Sequence, residues 1–382
     1  MSPRSIAEYA SALRARYFQA SRPEKARLLN EFCRVTGYHR KSAIRLLHRQ
    51  PSPKPTRRGR PRQYTGPVAR ALLQVWEAAG QVCSKRLAPF LPELLPVLER
   101  HGEIRLPAPV RQPLLRISAP TIDRLLRPLR PKRLRQPHGA TRAAPTLLQH
   151  IPIRTFGQWR HVPPGSLQAD LVLHCGESLA GFHLTTLIAV DVATGWTECL
   201  PVWGQGYQRV GTAVHRIRQR LPFPLRELHT DNGGEFLNSI LYPWCQREGI
   251  RFTRGRPYKK NDQAFAEQKV WAVVRRIVGY DRYSTRPAYD QLDRLYELLR
   301  LYTNFFQPTA KLRSKTRRGP RLIKRFDPAR TPYQRLLHAG VLASDQRQTL
   351  QSLFLSLNPV QLRKAIEGTL DGLWKLSDQH RR

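Results

Sequence analysis

HTDNGGEF, residues 229–236, and RPYKKNDQAFAEQK, residues 256–269, decide how the rest of this chain is read. In the first, the apolar stretch before His229 runs into an acid, Asp231, followed at once by a glycine turn. In the second, a basic loop leads into a helix-forming segment that carries Glu267, with 35 residues, 232–266, between the two acids. Upstream, LQADLVLHCG (167–176) is a short apolar strand holding one acid, Asp170, and HLTTLIAVDVATGW (183–196) and TECLPVW (197–203) continue as strands. The period then changes: Val210, Val214, Ile217 and Leu221 share one face of a helix over 207–221. A strand ending at Asp231, a helix over 239–248, a strand over 250–253 and a helix over 264–278 complete the series, the last with Trp271, Val274 and Ile277 as its buried stripe. The order is three strands, helix, strand, helix, strand, helix.

That order, with an acid on the first strand, an acid after the fourth and a glutamate on a late helix, resembles the catalytic core of the DDE integrases and transposases over residues 155–310. The 35-residue interval resembles that of the subset that includes retroviral integrases and several bacterial insertion-sequence transposases. The zinc-binding His/His/Cys/Cys module of retroviral integrases is absent, so the resemblance is nearer to the insertion-sequence enzymes. It implies an α/β chain: a ribonuclease-H-like core, a mixed five-stranded sheet with flanking helices, preceded by all-α helix-turn-helix modules. It also implies a DNA transposase that cuts strands and transfers them, with Asp170, Asp231 and Glu267 as catalytic residues and ligands of two Mg²⁺ ions, Mn²⁺ serving as substitute. Phosphodiester chemistry has a use for such a set, because two ions about 3.5–4 Å apart neutralise both the entering and the leaving oxygen, and Mg²⁺ prefers carboxylate oxygens. Of the other acids, Asp191 reads as a turn residue, Glu235 as a helix-start acid, and Asp262 as a residue that shapes its loop.

Lys and Arg number 66 against 27 Asp and Glu, a formal charge of +39, far beyond what solubility requires, so the partner to expect is a polyanion. The longest apolar runs are too short to span a bilayer and the first residues lack a signal-peptide pattern, so a cytoplasmic, nucleoid-associated protein without membrane contact is expected. Five scattered cysteines encode neither a disulfide framework nor a zinc site, and the neighbours His174 and Cys175 point to opposite faces of a strand.

The front of the chain suits double-stranded DNA. Residues 1–50 read as helices with Ile6, Tyr9, Ala10, Leu13 and Tyr17 inward, a Ser21–Glu24 capping box, a break at Gly37, and a second, basic helix presenting Arg40, Lys41 and Arg45. Residues 51–66 form a basic, proline-rich linker whose Arg58-Gly59-Arg60 resembles an AT-hook core for the minor groove. Residues 67–135 read as a second helical DNA-binding module with Arg124 exposed. Around Glu267, Arg254, Arg256, Lys259, Lys260 and Lys269 are placed to meet the phosphates of an entering strand. Residues 311–382 form a basic C-terminal region suited to DNA contact or subunit assembly. Because both element ends must be held together, a homodimer or larger assembly on DNA is expected. A nonenzymatic regulator derived from a transposase, or a nuclease that cuts without joining, would share most of these features.

Overall fold

The computed structural model describes residues 1–49, 63–64, 66–129, 151–159, 162–256 and 260–378. The chain divides into two compact units, residues 1–63 and 64–382.

In the first unit, α1 (Pro3–Gln19), α2 (Arg22–Thr36) and α3 (Arg40–His48) bury Ile6, Ala10, Leu13, Leu29, Phe32, Ala43 and Leu47 against one another. The capping box forms at Ser21 and Glu24, and Gly37 closes α2 in the left-handed region at φ 72°. Arg14 donates to the Leu46 and Leu47 carbonyls, satisfying the open C-terminus of α3.

In the second unit, four helices, α4 (Gly66–Ala78), α5 (Ser84–Arg100), α6 (Ala108–Leu115) and α7 (Ala119–Leu126), precede the sheet. The sheet strands are β1 (Ser166–Leu173), β2 (Thr185–Asp191), β3 (Thr197–Val202), β4 (Glu227–Thr230) and β5 (Arg251–Arg254), with α8 (Tyr207–Arg220) and α9 (Leu241–Arg247) in the crossovers. Their order is β3-β2-β1-β4-β5, antiparallel between β1, β2 and β3 and parallel between β1, β4 and β5. Two apolar layers cover it. Val210, Val214, Ile217, Phe236 and Leu241 fill one side, while Val273, Val274, Leu292, Tyr296 and Leu299 belong to the larger cluster on the other.

After β5 comes α10 (Ala264–Lys269), which runs through a π turn over Val270–Arg275 into α11 (Arg276–Val278). The expected stripe of Trp271, Val274 and Ile277 is corrected here: Trp271 is 48% exposed, Ile277 half-buried, and Val273, Val274 and Val278 fill the core. The buried face runs through Ala266, Lys269 and Val273 at three- and four-residue spacing, to one side of a stripe begun at Trp271. The long α12 (Arg286–Phe306) follows, then a hairpin of β6 (Leu312–Arg318) and β7 (Arg321–Phe326), then α13 (Pro332–Ala339), α14 (Ser344–Ser356) and α15 (Pro359–Trp374).

The helices over 66–126 share one apolar core with α12 and the C-terminal helices. The Tyr302 hydroxyl donates to the Ala78 carbonyl (3.0 Å), and Gln307 donates to that of Ala79 (3.0 Å). Gly80, at φ 69°, lets α4 end against Tyr302, where a Cβ would stand 2.6 Å from the hydroxyl.

Candidate active site

β1 and β4 run in parallel with Gln168 opposite His229. Carried on by two residues, this register brings Asp170 level with Asp231, the first residue after β4, and side-chain alternation puts both on the faces that Gln168 and His229 occupy. Asp170 is half-buried and accepts the Leu171 N–H (2.8 Å); Asp231 accepts the Gly233 N–H (3.0 Å).

Glu267 is exposed on α10, near enough for its charge to reach Asp170, and a fully buried glutamine holds the start of the helix against β1. Gln168 Oε1 accepts the N–H groups of Phe265 (3.0 Å) and Ala266 (3.2 Å), while its Nε2 donates to the Asp262 carbonyl (2.9 Å). The start of α10 is thereby stitched to β1 two residues before Asp170. Ahead of it, the buried Asp262 carboxylate receives a fork from Arg256, 2.8 Å to one oxygen and 3.0 Å to the other. This loop acid serves the shaping role expected of it.

Electrostatics report that the acids feel one another. Burial, then the charge of Asp231, with Glu267 and Glu235 adding, pushes the Asp170 carboxyl up to about 7 against the Leu171 hydrogen bond. Burial raises Asp231, opposed by the Gly233 N–H, and burial with the Asp231 charge raises Glu235. Among the described residues, no three His, Cys, Asp or Glu side chains stand close enough together to hold an ion unaided. The acids share a field rather than a finished coordination sphere.

Two expectations about the glycine turn change. Glu235 does not start a helix: residues 234–237 form a turn and α9 begins at Leu241. Its carboxylate folds over Gly233, where an added Cβ would stand 2.6 Å from it and the Glu235 side chain would have to swing aside. Asn232 ties the turn to β5, donating to the Gly255 carbonyl (3.2 Å) and accepting from Arg254 (3.2 Å). Asp191 is the turn residue expected, fully buried and accepting from the Thr194 N–H (2.7 Å), the Thr194 hydroxyl (2.6 Å) and the Gly165 N–H (2.9 Å). His174 is bound to Thr186 (2.7 Å) inside the core, and burial first, then Arg275 and His183, lower its pKa to about 3.

The cations fall into two groups. Arg40, Lys41 and Arg45 are exposed on α3, Arg124 is exposed on α7, and Arg256 is exposed while paired with Asp262. Lys269 must be corrected: it is 7% exposed, and burial foremost, with Arg86 and Lys311 adding and Cys199 opposing, brings its ammonium down to about 8. It faces the core with Ala266 and presents no charge to a strand. Arg254 is likewise buried, donating to the Ile151 carbonyl (3.0 Å). Arg58, Arg60 and Lys259 lie outside the described residues, as does the side chain of Lys260.

Sequence reading missed Gln168. The signal was available: a polar side chain in an apolar strand, at even spacing from Asp170, shares its face.

An antiparallel three-strand meander extended by two parallel strands, with an acid within β1, an acid just after β4 and an acid on the helix after β5, defines a ribonuclease-H-like core. The integrase core domain family matches residues 160–260. The "Uncharacterized protein y4rM" of Sinorhizobium fredii (strain NBRC 101917 / NGR234) is 43% identical over 328 residues, 86% of this chain and 94% of that one. Among solved structures, the catalytic core domain of BIV integrase is similar at 18% identity over 46% of this chain and 95% of that one, with a TM-score of 0.28. A simian T-cell lymphotropic virus intasome in complex with PP2A regulatory subunit B56 gamma matches at 17% identity over 33% of this chain and 42% of that one, also at 0.28. The chain belongs to one family with the y4rM protein and carries an integrase core domain over residues 160–260. Among the described residues no helix is long and apolar enough to cross a membrane.

Proposed function

We propose that this chain is a divalent-metal-dependent DNA transposase that cuts phosphodiester bonds at the ends of a mobile element and transfers the resulting 3′-hydroxyl into target DNA. The observation that supports this reading is that Asp170 on β1 stands level with Asp231 after the neighbouring β4, and that its carboxyl, raised first by burial, also feels the charges of Asp231 and Glu267. The donor chemistry of these residues suits a divalent cation. Their donors are hard carboxylate oxygens, the set Mg²⁺ and Mn²⁺ prefer, and a carboxyl held near 7 by burial and like charges is one that a bound cation would return to its ionised form.

Asp170, Asp231 and Glu267 would hold the two ions, with Glu235 near enough to add to their field. When bound, the ions supply charge neutralisation at the attacking and leaving oxygens and acidify the attacking hydroxyl. The protein orients the acids: the β1–β4 register sets Asp170 beside Asp231, and Gln168 fixes the start of the Glu267 helix. Double-stranded DNA would be engaged by Arg40, Lys41 and Arg45 on α3, by Arg58 and Arg60, by Arg124, and by Arg256, Lys259 and Lys260 beside the site. Two ends must be cut and joined together, which calls for a homodimer or larger on DNA.

The test is nicking and joining of a labelled element-end duplex in Mg²⁺ by the parent and by Asp170→Asn, Asp231→Asn and Glu267→Gln. Each amide keeps shape and removes a ligand charge, so loss of both reactions with DNA binding retained is expected. Equal activity of Glu267→Gln would remove Glu267 from the site. A folded, DNA-bound parent without activity would leave a DNA-binding regulator, and cutting without joining would leave a nuclease.

A further inference from the structure

The β6–β7 hairpin stands out from everything it is attached to. Its strands pair in antiparallel register across the Gly319–Pro320 turn, with Gly319 at φ 56°, and every residue but the half-buried Ile323 is exposed. Between Lys311 and Asp327 there is no acid, while Arg313, Lys315, Arg317, Arg318, Arg321, Lys324 and Arg325 are all cationic. The register sets Lys315 directly against Lys324 and Arg318 against Arg321. Like charges facing each other across a ladder destabilise it, and a lone two-stranded hairpin is marginal in water. A fold that keeps such a ribbon has a use for it that the folded protein alone does not show.

Alternation sorts the cations onto both faces. Arg318, Arg321 and Arg325 share one face with Ser314, Thr316 and Ile323; Lys315, Arg317 and Lys324 share the other with Leu322. The stem is held firmly. Lys311 donates to the Val192 carbonyl (2.6 Å) and to that of Ala193, and Asp327 accepts from Arg335 (2.6 Å), which also donates to the Thr309 carbonyl (2.7 Å). A rigid base under a bare cationic arm is the geometry of a probe.

We propose that β6–β7 is a DNA-binding ribbon that enters the major groove of duplex DNA and meets phosphates with both its faces. This deepens the transposase reading and rests on it. A seven-residue strand is roughly 24 Å long, and duplex DNA offers a charge every ~1.7 Å, so the ribbon has ample phosphates within reach. The B-form major groove, about 12 Å wide, admits a two-stranded ribbon, whereas that of A-form RNA is deep and narrow. A second copy of this chain is a poor occupant, because it brings another +39 of the same sign.

The experiment is fluorescence anisotropy of the full chain on a duplex of arbitrary sequence, without divalent ions, across a salt series. Changing Lys315, Arg317, Arg318, Arg321, Lys324 and Arg325 together to Gln should flatten the slope of log K against log salt by up to about 5, since each lost phosphate contact removes ~0.9. Each three-residue face changed alone should give about half that loss. Exchanging Arg and Lys at all six positions keeps the charge and should restore the slope. All six are exposed, and an unchanged circular dichroism spectrum and melting temperature confirm that the fold survives. An unchanged slope in the six-fold variant overturns the ribbon while leaving a DNA-binding transposase intact. Loss carried by one face alone overturns two-sided insertion. An equal preference for an RNA duplex overturns the groove assignment, and a parent that does not bind duplex at all overturns the functional reading with it.

Discussion

Replacing Gln168 by Leu should loosen the placement of Glu267 relative to Asp170 while changing none of the three acids. The substitution keeps the volume of a fully buried side chain and deletes three hydrogen bonds, two from the Phe265 and Ala266 amides at 3.0 and 3.2 Å and one to the Asp262 carbonyl at 2.9 Å. Each group left buried without its partner costs about 1–3 kcal/mol, so with partial access of water the docking of α10 should weaken by roughly 2–5 kcal/mol. Part of that would appear in the melting temperature. The larger effect should be on rate, because a reacting group displaced by about 1 Å costs on the order of a hundredfold. The assay is single-turnover nicking of an end duplex in Mg²⁺, with amide hydrogen exchange at Phe265 and Ala266 followed in parallel. Expected are a fall in rate of about two orders of magnitude, unchanged affinity for DNA, and faster exchange at both amides. Gln168→Glu retains the acceptor and should restore amide protection, while its new charge beside Asp170 keeps the rate low. Parental nicking and parental exchange in Gln168→Leu would refute the reasoning; a rate loss with unchanged exchange would show that Gln168 acts otherwise than by holding α10.

Three further outcomes follow from burial. Lys269→Met should raise the melting temperature at pH 7 and leave the salt dependence of DNA binding unchanged. Folding lowers the Lys269 pKa from 10.5 to about 8, so between these values the unfolded chain holds a proton the folded chain has released, and the parent gains stability as pH rises. The advantage of Met should therefore be full below pH 8 and fade towards pH 10.5 in parallel melts; a pH-independent difference would mean packing alone. Leu91→Ala on α5 should cost about 2–5 kcal/mol and lower the unfolding midpoint of the whole unit from residue 64 onward, because Leu91 lies in the core shared with α12; a midpoint shift confined to the helices over 66–126, seen by hydrogen exchange, would contradict this. Asp191→Asn should lower stability by about 1–3 kcal/mol through the Thr194 and Gly165 hydrogen bonds, with nicking per folded molecule unchanged.

The order of strands and helices in the core was legible because burial on one or two faces imposes period 2 or 3.6, and both periods survive in 167–253 as local pattern. Asp170, Asp231 and Glu267 stand out in the sequence by residue type, and their separation along the chain follows from the elements between them. The functions of Asp191 and Asp262 as structural acids were also readable from their turn and loop settings. What lay beyond the sequence depends on contacts between distant segments. Gln168 matters through amides 97 and 98 positions away, and no local pattern records that. Lys269 and Trp271 exchanged their expected surroundings because several stripes compete within 264–278, and the face that packs runs through Ala266, Lys269 and Val273. The helices over 66–126 read as a separate module by composition, yet their apolar faces close on α12 and α15, since a stripe declares that it is buried and not what buries it. The basic run after residue 310 is charge in the sequence; only strand pairing turns it into a ribbon with two cationic faces. Local free energies are written along the chain, and partner choice is decided by the fold that brings the partners together.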